Sequence, residues 1–340
     1  MPLLRFAAPS LIALAAFTLG GCASGPPAPK PWAEVATREL NLALASVEVQ
    51  GRRVAVTRSA TATGPLPVVV YLPGIGQGAD AGQRWAASWA QAGYTVLTVQ
   101  PLEADTAAWR SELARTGEFR ALGELHYGDA MRAERQAALR QLLTALQRTA
   151  VPGATLDWQR AAIAGYEVGA QAALAWATEP GAAWRPRAVI AISPPPMDAT
   201  TGVPPALLIT SRNDGDALGL VKQPDERRRA FQTMAPGAGW LLVLPAASHA
   251  ALSGTLAPDG WHEQDQRRGG ESMGRGGGGM RGGNGGPSGP MGGAPRGPRS
   301  GSATEAAQAD LYDALWLSTA FLEAHLRGTA MPESPLLQAR

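Results

Sequence analysis

The sequence predicts an α/β fold in which a mostly parallel, twisted sheet is covered by helices on both faces. Short and almost continuously apolar runs recur along the chain, as is typical of strands buried on both faces. Segments with apolar residues at helical spacing alternate with those runs, which favours parallel strands joined by helices. The 340 residues are 45% hydrophobic, enough for a sizeable core, and the net charge of +2 gives no overall field that would attract nucleic acid.

Residues 1–37 are expected to lie outside that fold. Arg5 supplies a positive charge near the N-terminus, and the apolar segment 11–18 that follows is too short to span a membrane. The segment is followed by Leu-Gly-Gly and then Cys22, a pattern that resembles a bacterial lipobox. The resemblance implies that residues 1–21 are removed as a signal peptide and that a diacylglyceryl group is attached to the sulfur of Cys22.

Cys22 is the only cysteine, so a disulfide within the chain is excluded and a lipid anchor is the main role open to it. The alternative is an incidental cysteine beside a cleavable leader. The resemblance places the protein in the bacterial cell envelope, and the Ala-Ser pair after Cys22, which lacks aspartate, favours the outer membrane. The proline-rich residues 22–37 are expected to form an extended tether that holds the domain off the bilayer.

Residues 38–335 are predicted to form one domain, interrupted by a glycine-rich insert. The domain should open with an antiparallel hairpin within 38–58 that turns at Gln50-Gly51. The later elements are predicted as strand 67–72, helix 78–92, strand 94–99, helix 130–148, strand 158–164, a helix from Ala170, strands 188–192, 206–210 and 240–244, and a closing helix 303–327.

The insert spans residues 262–303, where glycine dominates and arginine recurs with almost no large apolar residue. Such a segment buries too little apolar surface to offset the entropy of ordering, so it is predicted to be a disordered loop. Weak attraction of its arginines to anionic lipid headgroups is the functional alternative.

The segment Gly165-Tyr-Glu-Val-Gly169 has the form of the nucleophile elbow G-x-S-x-G with glutamate in place of serine. A predicted strand precedes it and a predicted helix follows it, which is the setting in which this motif has its meaning. The flanking glycines allow a sharp turn that holds the central side chain above the sheet. We therefore expect Glu167 to stand where a nucleophile would stand.

Two later residues follow predicted strands in the order nucleophile, acid, histidine that accompanies this motif. Asp214 occupies the position of the acid, and His249 occupies that of the histidine. Asp216 is a near alternative for the acid, and solvated surface loops are the simpler explanation for both positions. The matching order of all three positions favours a site made of Glu167, Asp214 and His249.

A glycine-rich turn, Leu72-Pro-Gly-Ile-Gly-Gln-Gly78, links a predicted strand to a predicted helix. The backbone N–H groups of Ile75 and Val168 are expected to form an oxyanion hole. The same turn fits only the relaxed form of a dinucleotide fingerprint, and the next predicted strand ends at Val99-Gln100, without the acidic residue that binds a ribose. A nucleotide site therefore has little support.

Several segments together resemble the dienelactone hydrolase and platelet-activating-factor acetylhydrolase-like branch of the α/β-hydrolases. The similar segments are 72–76, 92–97, 157–165, 211–214, 247–249 and 321–328. The resemblance implies the α/β-hydrolase fold, hydrolysis of carboxylic esters, a small-molecule ester-like substrate, and no metal or organic cofactor. Two residues depart from it, because Pro73 stands where members often have histidine and Glu167 replaces the nucleophilic serine.

Glutamate changes the chemistry expected at the elbow. A carboxylate is a poor nucleophile toward an ester, because the tetrahedral adduct expels the carboxylate rather than the alkoxide. It can attack saturated carbon, as aspartate elbows of this family do, although a displacement of about 1 Å by the extra methylene costs roughly a hundredfold. Alternatively, Glu167 acts as a general base on water, or pairs with a protonated His249, fills the oxyanion hole and closes the site.

The sequence thus predicts an envelope lipoprotein of the α/β-hydrolase family, related to carboxylic-ester hydrolases, with altered or weak activity. The alternative is a catalytically silent protein that binds a small ligand or a protein partner in the remnant cleft. In either case a lipidated Cys22 would attach it to a membrane, and nucleic acid is not an expected partner.

Overall fold

The computed structural model of the protein describes residues 35–199, 201–256 and 300–340. The predicted signal peptide, the lipidation site at Cys22, the tether up to residue 34 and the glycine-rich insert up to residue 299 lie outside the described residues. None of the described helices is long and apolar enough to cross a membrane.

In the described part of the chain, nine strands form one sheet. They are β1 (Leu42–Val49), β2 (Arg52–Ser59), β3 (Pro65–Leu72), β4 (Thr95–Thr98), β5 (Thr155–Tyr166), β6 (Ala188–Ile192), β7 (Ala206–Asn213), β8 (Gly239–Ser248) and β9 (Leu337–Ala339). Their order is β1-β2-β4-β3-β5-β6-β7-β8-β9. The pairs β1–β2, β2–β4 and β8–β9 are antiparallel and the other five are parallel. The predicted fold class is confirmed, because the molecule is an α/β protein with an α/β-hydrolase-like fold.

The helices lie between and after the strands. The α-helices are α1 (Gln83–Gln91), α2 (Glu103–Ala107), α3 (Glu112–Arg115), α4 (Phe119–Tyr127), α5 (Asp129–Leu146), α6 (Val168–Trp176), α7 (Arg229–Thr233), α8 (His249–Leu252) and α9 (Ser300–Leu322). Among the described residues, 3-10 turns cover Ala108–Arg110 and Pro224–Arg228, and π-helical turns cover Val35–Glu39 and Glu323–Arg327.

Each predicted strand and helix has a counterpart, but several bounds differ. The helix predicted from residue 78 begins at Gln83, because Gly82 has a left-handed φ of 66° that a helix does not accommodate. Helix α9 begins at Ser300, so residues 300–303, which were predicted to be disordered, are helical. The short elements between 103 and 127 and the strand β9, which lies beyond residue 335, have no counterpart in the prediction.

Strand β3 shows how the core is divided between the two faces of the sheet. Val68 and Val70 pack into the apolar cluster on one face, and Val69 and Tyr71 pack into the cluster on the other. All four side chains are fully buried, because helices cover both faces. This double burial explains why the strand reads as a continuous apolar run.

The parallel strands bring four loops to one edge of the sheet. The turn after β3, the elbow after β5, the loop after β7 and the turn after β8 all leave from the carboxyl ends of adjacent or nearby strands. Ligand sites of open α/β sheets lie at this edge. The fold therefore gathers Ile75, Glu167, Asp214 and His249 in one place.

Candidate active site

The elbow after β5 holds Glu167 in an uncommon backbone conformation. Its φ is 51° and its ψ is −117°, although it is neither glycine nor asparagine. Such a conformation costs on the order of 1–3 kcal/mol and persists only where the surroundings enforce it. The backbone N–H of Glu167 donates to the carbonyl of Ile192 at 3.0 Å, and its carbonyl accepts from Gln171 at 3.0 Å in the first turn of α6.

The two flanking glycines are required by close packing. A Cβ on Gly165 would lie 2.3 Å from the carbonyl carbon of Gly169. A Cβ on Gly169 would lie 2.0 Å from the carbonyl oxygen of Leu72 in β3. Neither position can carry a side chain without moving backbone, so the elbow is wedged directly against β3.

Glu167, His249 and Asp214 form a continuous hydrogen-bonded relay. Oε1 of Glu167 lies 2.5 Å from Nε2 of His249, and Nδ1 of His249 lies 2.6 Å from Oδ1 of Asp214. The side chain of Asp214 is fully buried, whereas that of His249 remains 14% exposed. The three residues singled out from the sequence are therefore in contact, in the order expected of nucleophile, histidine and acid.

The second carboxylate oxygen of Glu167 lies in the turn expected to form the oxyanion hole. The backbone N–H of Ile75 donates to Oε2 at 3.1 Å. Val168 is the first residue of α6, so its N–H has no acceptor within the helix. A Cβ on Gly74 would lie 2.4 Å from Oε2, which makes this glycine necessary for the carboxylate to enter the turn.

The covalent structure of glutamate explains why it fits both contacts at once. In a serine ester, Cβ is followed by one oxygen and then by a trigonal carbon that carries the carbonyl oxygen. In glutamate, Cβ is followed by Cγ and then by the trigonal Cδ with its two oxygens. Oε2 thus lies where an oxyanion would be stabilised, and Oε1 lies where His249 would meet the attacking or departing oxygen. The Glu167 side chain thus has the length and branching of an acylated serine.

The carboxylate of Asp214 is held by a shell of buried donors. The hydroxyl of Ser193 donates to both of its oxygens, at 3.0 and 2.9 Å, and the hydroxyl of Thr210 donates to Oδ2 at 2.7 Å. The guanidinium of Arg227 lies 3.3 Å from Oδ1 and also donates to the carbonyls of Asp214 and Ser193. Arg227 is fully buried, so it neutralises the carboxylate away from solvent.

The near alternative for the acid has a different role. The carboxylate of Asp216 accepts the backbone N–H groups of Leu220 and Val221, each at 3.1 Å. These bonds hold the loop that follows β7. Asp214, and not Asp216, is the carboxylate in contact with His249.

The carboxylates on either side of His249 control its protonation. Burial acts to lower the pKa of the imidazole, but the negative charge of Glu167 and the hydrogen bonds that Asp214 and Glu167 accept from the ring outweigh burial and raise the pKa to about 9. The positive charge of Arg227 opposes this rise. At neutral pH the ring is therefore an imidazolium that donates to both carboxylates.

We expect the His249 ring to titrate near pH 9 in the native protein and at lower pH in Glu167→Gln, because the substitution removes the charge that favours the imidazolium. An NMR titration of the histidine ring protons measures both values. Because the folded pKa exceeds the unfolded value of 6.5, this group contributes fully to stability below pH 6.5, and the contribution is lost as pH rises through 9. Identical titration in both proteins would contradict the assignment.

A buried ionic cluster holds the glycine-rich turn of residues 72–78, here called the oxyanion turn. Asp105 accepts the N–H of Gly76 with its backbone carbonyl at 2.7 Å. Its carboxylate is fully buried and binds Arg135 at 2.6 Å and His126 at 2.8 Å. Hydrogen bonds from these partners hold the pKa of Asp105 below its usual value against the opposing effect of burial. No motif in the sequence indicated this cluster, whose His126 lies in α4.

The turn that carries His249 is fixed by a residue far away in the sequence. The carboxylate of Asp310 in α9 accepts the backbone N–H groups of Ala246 and Ala247, at 2.5 and 2.7 Å. The hydroxyl of Tyr166 donates to the carbonyl of His249 at 2.9 Å. Asp310 and Arg227 are thus site-supporting residues that sequence reasoning missed, because neither belongs to a recognisable motif.

Within the described residues, no group of three or more His, Cys, Asp or Glu side chains is arranged to hold a metal ion. Surface cavities of about 430 and 160 Å³ lie beside Arg140 and beside Val203 respectively, and neither is lined by Glu167 or His249. The side chains of Glu167 and His249 are 10% and 14% exposed, so solvent touches both.

The protein thus has an α/β-hydrolase-like fold, with an Asp214–His249 pair in contact with a glutamate at the elbow. Comparison of the chain with protein-family models and with curated proteins gives no match. The site geometry and the physical chemistry of its residues are therefore the basis for assigning a function.

Proposed function

We propose that this protein is a lipid-anchored component of the bacterial cell envelope, of α/β-hydrolase ancestry, whose site has altered or weak hydrolytic activity because Glu167 occupies it. The observation that carries the proposal is the double contact of one carboxylate. Oε2 accepts the N–H of Ile75 and Oε1 accepts the proton of His249. An ester would need both of these contacts in order to react.

Ordinary acyl-ester hydrolysis is disfavoured for two further reasons. His249 carries a proton at neutral pH, so it cannot take one from a nucleophile or from water in the resting site. An attack by Glu167 on an ester carbonyl would give an adduct that expels the carboxylate again. Short acyl esters are thus expected to turn over slowly.

A second candidate function is the hydrolysis of an epoxide, and the protonated state of His249 favours it. Oε1 of Glu167 would attack a ring carbon, the carbon–oxygen bond would break, and the departing oxygen would take the proton of His249. The resulting glutamyl ester carries no charge, so the main influence that keeps His249 protonated disappears. Neutral His249 would then take a proton from water as the water attacks Cδ, and collapse of the adduct would release the diol and restore both charges.

The test is an assay of the full chain and of His249→Ala against p-nitrophenyl acetate and styrene oxide. We expect wild-type turnover of the acetate to be no faster than that of His249→Ala. Wild-type turnover of the acetate at the rate of an ordinary esterase, lost in His249→Ala, would contradict the proposed altered or weak activity. Epoxide turnover that His249→Ala removes, with label from H₂¹⁸O entering Glu167 in a single turnover, would establish the second candidate instead.

A further inference from the structure

Tyr127, the last residue of α4, carries a buried hydroxyl group that has no hydrogen-bond partner among the described residues. A buried donor without a partner is costly, so each such group in a native structure calls for an explanation. The hydroxyls of Tyr71, Tyr94 and Tyr166, by contrast, each donate to a backbone or side-chain oxygen. Tyr127 is therefore the tyrosine near the site whose donor is free.

The ring of Tyr127 packs on the wall of the candidate site. It contacts a small apolar cluster that includes Ile75 of the oxyanion turn and Val168 of the elbow helix. The remaining members of that cluster are Ala108, Leu122 and Leu218, and Trp109 packs against it beside Tyr127. Tyr127 thus lies where four elements meet: the oxyanion turn, α6, α4 and the loop after β7.

The hydroxyl also lies within electrostatic reach of the site's charged groups. Burial raises its pKa well above the ordinary value, the negative charges of Glu167 and Asp216 raise it further, and the positive charge of Arg227 lowers it. The phenol is therefore protonated at neutral pH and available as a hydrogen-bond donor.

The charges around the site disfavour a ligand with a negative charge. Three carboxylates, of Glu167, Asp214 and Asp216, face two cations, His249 and Arg227, so this group carries one net negative charge. An anionic ligand would add a second uncompensated negative charge in a partly buried place. The apolar cluster around Tyr127 favours a small ligand with an apolar body.

We propose that the Tyr127 hydroxyl donates a hydrogen bond to the oxygen of a small neutral carbonyl compound, an ester or a ketone, bound against the apolar cluster beside Glu167. The inference deepens the proposed function and rests on it. Because Glu167 already accepts the N–H of Ile75, a carbonyl that enters the site needs another donor, and Tyr127 supplies it.

The test measures binding of acetophenone, a neutral aryl ketone that cannot be hydrolysed, to the full chain by equilibrium dialysis. We expect saturable binding to the wild type and a Kd raised about three- to tenfold in Tyr127→Phe, the loss of one hydrogen bond. Benzoate, the anion of similar shape, should bind more weakly than acetophenone. Tyr312→Phe, which alters a tyrosine that is 70% exposed on α9, is the matched control and should leave the Kd unchanged.

Thermal melting separates this role from a structural one. Tyr127→Phe removes an unpartnered buried hydroxyl, so its Tm should equal or exceed that of the wild type. No saturable binding to the wild type, equal Kd values for wild type and Tyr127→Phe, or a lower Tm for the variant would each overturn the inference. Since acetophenone is not turned over, these outcomes are independent of the ester and epoxide assays that test the proposed function.

Discussion

Replacement of Glu167 by serine is expected to create acyl-ester hydrolysis. Serine places a hydroxyl at the position of Cγ, frees the N–H of Ile75 and leaves Nε2 of His249 without its carboxylate partner. The pKa of His249 then falls, because the charge of Glu167 no longer raises it, and the neutral ring can accept the serine proton. We expect hydrolysis of p-nitrophenyl acetate to exceed the wild-type rate by on the order of a hundredfold or more.

Two matched variants show whether the gain has this origin. Glu167→Ala opens the same space without a nucleophile and should stay at the wild-type rate. The double variant Glu167→Ser with His249→Ala should lose the gain, because the hydroxyl then has no base. If Glu167→Ala gains as much as Glu167→Ser, the activity comes from the opened space and not from a restored relay.

Replacement of Arg227 by methionine is expected to destabilise the fold strongly. The guanidinium is fully buried, lies 3.3 Å from a carboxylate oxygen of Asp214, and donates to the carbonyls of Asp214, Ser193 and Pro194. Its removal takes away one of the two cations that face the buried Asp214 carboxylate and leaves three buried carbonyls without their donor, and breaking a buried pair in this way costs about 3–5 kcal/mol in comparable sites. Urea unfolding of the wild type and of Arg227→Met measures the difference.

The control lies two residues along the chain. Arg229 pairs with Asp198, but both side chains are more than half exposed. Exposed pairs contribute little, because solvent screens them, so Arg229→Met should unfold at nearly the wild-type urea concentration. An equal decrease in the free energy of unfolding for both variants would show that the contribution of Arg227 to stability does not depend on its burial.

Much of the fold was predictable because its strands carry strong local signals. The run of β3 is apolar on both faces, and the hairpin of β1 and β2 turns at Gln50-Gly51, where both residues have positive φ. The elbow was predictable because its two glycines are required by close packing, Gly165 against the first turn of α6 and Gly169 against β3. The positions of Asp214 and His249 followed from chain order along a parallel sheet.

Other features depend on contacts between distant residues, which a single sequence does not display. Strand β9 is three residues long and exists because it pairs with the edge of β8. The short helices between 103 and 127 have few apolar positions to set a period, and they are held by the buried bonds of Asp105 to Arg135 and His126. Asp310 and Arg227 reach the site from other helical segments, with no motif to mark them.

The strained backbone at Glu167 has a consequence for how this site can change. The contacts of Gly165 and Gly169 with their surroundings, and the bond of the Glu167 N–H to Ile192, set the backbone angles without any help from the glutamate side chain. The backbone conformation at position 167 is therefore determined by the neighbouring residues. Any side chain at this position is directed toward His249 and the N–H of Ile75. A single substitution at position 167 can therefore change the chemistry of the site while the surrounding fold stays the same.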